Sequence, residues 1–450
     1  MPEELRNSIL APIMQSFTSI GPMLDTVAIF SVIAIYSGVA LPIVVLLTFL
    51  LGYSTMNTIY RLSSRFVTNG GYSAYAGLVL GKDVGIFVGF VYLAYAMMVL
   101  PDISLFIGNF AMAVLGGGAP VSPLFELGIS LAFTILIISA VSRGLKLTLS
   151  YTIIAGILEF LILGLSTGLF FSHSTAGFSV FAGSFNNPES IWLGLIFGVV
   201  AFSGSGSSIF FSNNVKKPLK NIPRGMILAY SISGIIMVLA SLSLVFFMGS
   251  SNLARYSADP YFLMEYIQLH LGSLFFVIFA VFAMISAANL SISYLNALKN
   301  GFSRMLSEGL LGSWARNKLN ERHLLLSVLI LAFSVELLSY FTNNFFYVFA
   351  VLAGAVGLAY MTVHIIINVV LMKVQKTTGG ISWILLPVVS STILLVSFYY
   401  AAIDPRFSLL WTNVIYLVII STAIAATIAI RLNPSHYKSI VISASQEHAE

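Results

Sequence analysis

Phe202-Ser203-Gly204-Ser205-Gly206-Ser207-Ser208 interrupts an apolar run that extends over residues 190–212. Glycine costs backbone entropy in a helix and serine competes for backbone hydrogen bonds, so a helix through this stretch is expected to unwind. A second interruption, Thr18-Ser19-Ile20-Gly21-Pro22, falls about a third of the way along the apolar run 9–35. Pro22 has no N–H and pushes Gly21 out of helical dihedrals. Backbone groups freed inside hydrocarbon are tolerated only where they line a cavity or are buried in protein, and interruptions in corresponding places of two halves point to a transporter binding site. The alternative is close helix packing through small residues, which accounts for one interruption more readily than for two.

The rest of the chain makes hydrocarbon the right setting. Of 450 residues, 58% are hydrophobic and 8% charged, where a soluble domain carries about 25% charged residues. Apolar runs separated by polar breaks place twelve spans near residues 9–35, 41–62, 84–115, 123–141, 147–171, 190–212, 224–248, 272–299, 324–341, 345–373, 381–402 and 409–431. At about 20 residues each, twelve spans leave only short connections and no room for an extramembrane domain. A membrane β-barrel is excluded, because the runs are unbroken and lack a two-residue alternation.

Nineteen of the 21 lysines and arginines fall on one side of this arrangement, with only Arg255 and Arg406 on the other. That division puts both termini in the cytoplasm of a multi-pass cell-membrane protein, and it accounts for the net charge of +5 without nucleic acid. No cysteine is present, and no histidine pair has zinc-ligand spacing. No metal, cofactor or catalytic residue is expected, and no cleaved leader is read at the start. The interruptions lie in the first and sixth spans, an odd step of five, so the chain enters them from opposite sides. Residues 9–171 and 190–373 then form an inverted repeat of five plus five helices, with 381–431 as two peripheral additions to a single domain.

At this point the residues resemble a family. RFVTNGGYSAYAGLVLG (65–81) is similar to the segment after the second helix in the amino acid–polyamine–organocation superfamily of permeases, with Val67 in place of a usual proline. FSGSGSSIFFSNNVKKPLKNIPRG (202–225) resembles that superfamily's sixth-helix motif, and Leu295-Asn296-Ala297 with Ser303-Arg304 matches its eighth. The resemblance implies an all-α, leucine-transporter-type fold whose broken first and sixth helices grip the α-carboxylate and α-amino groups of an amino acid. It assigns substrate binding to Ser19, Ile20, Gly21, Phe202, Ser203, Gly204, Ser205 and Gly206. The chemistry agrees, since a half-helix starting after Gly21 offers unpaired N–H groups to a carboxylate and the carbonyls before it can accept from an ammonium. Departures from the pattern, Ser205 for a bulky residue, Gly206 for an acid, and Asn213 and Asn214 for glutamates, imply a wider and more polar pocket.

Ionisable residues inside a membrane are functional candidates by default. Asp25, Asp102, Glu159 and His364 lie well within their spans. Glu159 occupies the middle of the fifth, where some sodium-independent relatives carry a lysine in place of a sodium ion, and a buried acid suits a group that takes up and releases a proton. Glu159 as a permanently bonded packing residue is the other reading. Asp25 and Asp102 either face a substrate ammonium or bond the local backbone, and His364 reads as packing. Of the aromatics Tyr92, Tyr95 and Phe202, only Phe202 is taken as a gate.

The function expected is secondary active transport of amino acids or related small organic amines, coupled to a proton, in contact with membrane lipids. Sodium coupling through Glu159 and Ser286, exchange, and a non-transporting sensor stay open beside it. An intramembrane hydrolase would need Ser203 or Ser205 with His364, and no nucleophile-elbow spacing is present.

Overall fold

The computed structural model describes residues 8–116, 122–182, 188–259, 261–375, 382–404 and 410–444. Arg6, Lys376 and Arg406, which enter the charge division, lie outside them. Every regular element among the described residues is helical, with no β-strand. Hydrocarbon leaves a chain few other ways to satisfy its own backbone.

The first apolar run folds as three short helices, α1 (Leu10–Ile20), α2 (Pro22–Val27) and α3 (Ile29–Ser37). Gly21 sits between α1 and α2 at φ 69°, ψ 55°, a left-handed conformation that ends one helix while Pro22 opens the next. The chain continues through α4 (Leu41–Ser63), α5 (Gly71–Leu80) and α6 (Lys82–Gly116). Pro101 lies inside α6, and the carbonyl of Pro101 accepts from Ser104 Oγ at 2.9 Å. Next come α7 (Pro123–Ser142), α8 (Leu145–Ser172) and α9 (Pro188–Ala201).

Beyond α9, Phe202 leaves helical geometry, and Ser203–Asn214 winds as a 3-10 helix of 12 residues. The glycine and serine stretch therefore gives up α-helix, as its composition requires, yet keeps its backbone satisfied through tighter i→i+3 bonds rather than opening fully. The remaining elements are α10 (Pro218–Ala258), non-helical at Gly249, then α11 (Phe262–Leu271), α12 (Ser273–Glu308) and α13 (Ser313–Lys318). They are followed by α14 (Glu321–Thr342), α15 (Phe345–Gln375), α16 (Ser382–Ile403), α17 (Leu410–Arg431) and α18 (Pro434–Ser439).

Eleven helical stretches among the described residues are long and apolar enough to cross a membrane. The difference from twelve arises in the first run: α1 and α2, of 11 and 6 residues, are each too short to cross alone, and α3 counts with α4 as one stretch, Ile29–Ser63. Burial sorts the spans: the stretch Glu189–Asn214 is mostly buried and Trp411–Arg431 mostly exposed, so the 3-10 segment runs through the centre and α17 faces outward. Helix α1 packs against the 3-10 segment, α8, α10 and α12, and α15 packs along α6. The two interruptions are thus brought side by side in the core.

Candidate substrate site

Contact between the interruptions depends on the absence of a side chain. A Cβ on Gly204 would overlap the backbone carbonyl of Ser19, and one on Gly21 would lie 2.6 Å from Leu290 Cδ1. Gly206 is pressed in the same way against the Tyr72 hydroxyl. Close backbone approach is what glycine supplies at these places.

The first-turn N–H groups of α2 have no partners within their own helix, and other helices supply them. Met23 N–H donates to Glu159 Oε1 at 3.3 Å, and Leu24 N–H donates to Ser286 Oγ at 3.1 Å. Ser286 Oγ in turn donates to Glu159 Oε1 at 2.6 Å, and Asn289 Nδ2 donates to Glu159 Oε2 at 3.2 Å. Glu159 is fully buried and makes no ion pair among the described residues. An acceptor-only carboxylate at the positive end of a helix is a favourable pairing. Asn289 Oδ1 faces no partner, so on turning the amide could accept a hydrogen bond from a protonated Glu159.

A cavity lies between the interruptions. Its walls include Ser19, Ile20, Asp25, Asp102, Ser203 and Tyr294, with apolar side chains between them. Ser203 Oγ and the Tyr294 hydroxyl lie 2.7 Å apart and share a hydrogen bond. Asp25 and Asp102 are both buried, and neither Asp25 Oδ2 nor Asp102 Oδ1 has a hydrogen-bond partner.

The other residues named from the sequence lie around this cavity rather than on it. Glu159 and Ser286 sit behind α2. Phe202 and Ser205 face a second cavity with Met56, Tyr230, Tyr360 and His364, where Phe202 packs on Tyr230 with ring centroids 5.3 Å apart. Gly204 borders a small space lined by Tyr72, Tyr92, Tyr95, Phe210 and Tyr294. Both ring nitrogens of His364 lack partners, so neither Ser203 nor Ser205 is activated by it. Among the described residues no three His, Asp or Glu side chains group to hold a metal ion.

Two aromatic layers flank the cavity. Phe106 lies on one side against Phe110, Tyr261 and Phe349, with centroids 5.5, 6.2 and 5.6 Å away. Tyr261 also lines an open vestibule with Asp259 and Asn344. On the other side Tyr92 stacks on Phe210 at 4.6 Å, and Tyr72 meets both rings edge-on.

Several participants escaped sequence reasoning. Gln15 Nε2 donates to the Ser293 carbonyl at 3.0 Å, while Ser207 Oγ donates to the Gln15 carbonyl at 3.1 Å and to Ser19 Oγ at 2.8 Å. This network ties α1, the 3-10 segment and α12 together. Glu336 is also fully buried, accepting from Ser104 at 2.6 Å and Thr134 at 2.7 Å. An acid inside the apolar run 324–341 was the available signal for it.

The family model described as amino acid permease matches residues 13–430. No curated protein matches the chain by sequence.

Proposed function

We propose that this chain, which belongs to the amino acid permease family and is a multi-pass membrane transporter of amino acids, works by proton-coupled alternating access. Transporters, not enzymes, make up that family. The observation that carries the proposal is the cavity itself, walled by Ser19 and Ile20 from one interruption and Ser203 from the other, and flanked by aromatic layers. A substrate enclosed there reaches the two sides in turn if one layer parts while the other holds.

In this reading the spans number twelve. The three pieces of the first run, α1 to α3, cross together, and the chain forms an inverted repeat of five plus five with α16 and α17 outside it. Both termini lie in the cytoplasm. The backbone around Ser19, Ile20, Gly21 and 202–206 binds the substrate, and Glu159 carries the coupling proton. Deprotonated Glu159 accepts from Met23 N–H and holds α2 in place; protonation weakens that acceptor and favours the opposite facing. A difference of a few kcal/mol between the states is enough to shift the population.

The test is uptake of labelled amino acids into sealed vesicles containing the purified protein. Accumulation is the expected result. Binding without any uptake would make the chain a sensor instead. A reporter fused after Lys438 is expected on the cytoplasmic side, and an external location would overturn the span count and the repeat together.

A further inference from the structure

The cavity between the interruptions is lined by two acids that the protein leaves partly without partners. Asp25 comes from α2 and Asp102 from α6; they are 2% and 6% exposed, and both line the same space. Asp25 Oδ2 and Asp102 Oδ1 have no hydrogen-bond partner. No lysine, arginine or histidine stands among the described residues lining the cavity. Two buried carboxyl groups without counter-charges are costly, and a cation between them removes that cost.

Elsewhere in the core Glu159 is met on both oxygens by Met23, Ser286 and Asn289, and Glu336 is met by Ser104 and Thr134 on Oε1 while its Oε2 has no partner. What sets this cavity apart is that two acids from different helices, each with an unpartnered oxygen, line one space. Its remaining wall is mostly apolar, with Leu24, Val99, Ile103 and Leu290 suited to a methylene chain. The α2 N–H groups that would attract an anion already bind Glu159 and Ser286, so the cavity favours positive charge over negative.

We propose that the substrate of this cavity carries two ammonium groups joined by a short apolar chain, one held by Asp25 and the other by Asp102. The class comprises aliphatic diamines and amino acids with an ammonium side chain. A neutral amino acid answers only one of the two carboxyl groups. The Ser203–Tyr294 hydroxyl pair remains on the wall as a donor for a carboxylate where the substrate has one. The proposal rests on the reading of this cavity as the transport site.

The full-length protein in sealed vesicles is tested with labelled 1,4-diaminobutane, L-lysine and L-leucine, in parent, Asp25→Asn, Asp102→Asn and the double variant. At least one of the two diammonium compounds, the diamine or L-lysine, is expected to accumulate, with L-leucine at least about 10-fold weaker. Each single substitution raises the half-saturating concentration of that compound about 10-fold, as the loss of a hydrogen bond to a charged group does. Uptake of the diamine alone, of lysine alone or of both shows whether a carboxylate is required. Thermal stabilisation of the parent by the same three compounds needs no variant, and only the diammonium compounds should raise its Tm. L-leucine moved and bound as well as the diammonium compounds, with no effect of either substitution, overturns the diammonium assignment and leaves the transport reading standing. If none of the three compounds is bound or moved, both fall.

Discussion

The interruptions at Gly21 and at Phe202–Ser208 read alike in the sequence, yet the protein satisfies their backbones by different means. At the first, α2 starts afresh and borrows acceptors from Glu159 of α8 and Ser286 of α12. At the second, the chain tightens into a 3-10 helix and supplies its own bonds, helped by Ser207 and Gln15. Borrowed acceptors can be withdrawn by a proton, whereas internal ones cannot. Under this account the first interruption is the one that senses the coupling ion, and the second is a fixed surface on which it works.

The largest effect is expected where the two meet. In Gly204→Ala the new methyl overlaps the Ser19 carbonyl, a backbone atom with no rotamer to retreat into, and overpacking of this kind costs about 3 kcal/mol. Thermal unfolding in detergent should show a large loss of Tm and substrate binding should vanish; an unchanged Tm would mean the two segments are not in fixed contact. Gly21→Ala should cost less, about 2 kcal/mol, since the left-handed backbone carries roughly half of it and the other obstacle is the flexible Leu290 side chain. Adding Leu290→Ala should recover part of the Tm lost through Gly21→Ala and none of that lost through Gly204→Ala.

A smaller change separates the borrowed bonds from the internal ones. Ser286→Ala removes the acceptor of Leu24 N–H and one donor to Glu159, at about 1–2 kcal/mol. It should alter the pH dependence of uptake. Ser207→Ala, which loses bonds to Gln15 and Ser19, should lower stability by about 1 kcal/mol and leave that dependence alone. Equal pH shifts in the two variants would erase the distinction between the interruptions.

How much of this was legible in the sequence follows from the range of each interaction. Apolar runs such as 345–373 announce helices because hydrocarbon admits little else, and Gly21-Pro22 announces a break because both residues act on their own backbone. The Gly and Ser run of 203–208 signals the end of α-helix, but its composition does not distinguish open chain from a 3-10 helix. Gln15, Asn289 and Tyr294 were not legible, because a single polar residue in a helix acquires a role only when another helix faces it. Asp25 and Asp102 were visible as acids in apolar runs, while their convergence on one cavity from α2 and α6 is a fact of packing. Glu336 carries the same signal as Glu159, and only packing shows that its Oε1 is held by Ser104 and Thr134, away from the cavity.

The central claim is that a proton on Glu159 controls the first interruption, and uptake of labelled substrate under a pH gradient, without sodium, in parent and Glu159→Gln vesicles tests it most directly. Glutamine keeps the carbonyl that accepts from Met23 N–H and can donate to Asn289 Oδ1, so it mimics the protonated acid permanently. The parent should concentrate substrate when the outside is more acidic than the lumen, and Glu159→Gln should bind and exchange substrate without concentrating it. A glutamine variant that still concentrates substrate on the pH gradient, or parent uptake that follows sodium and ignores pH, would contradict the account.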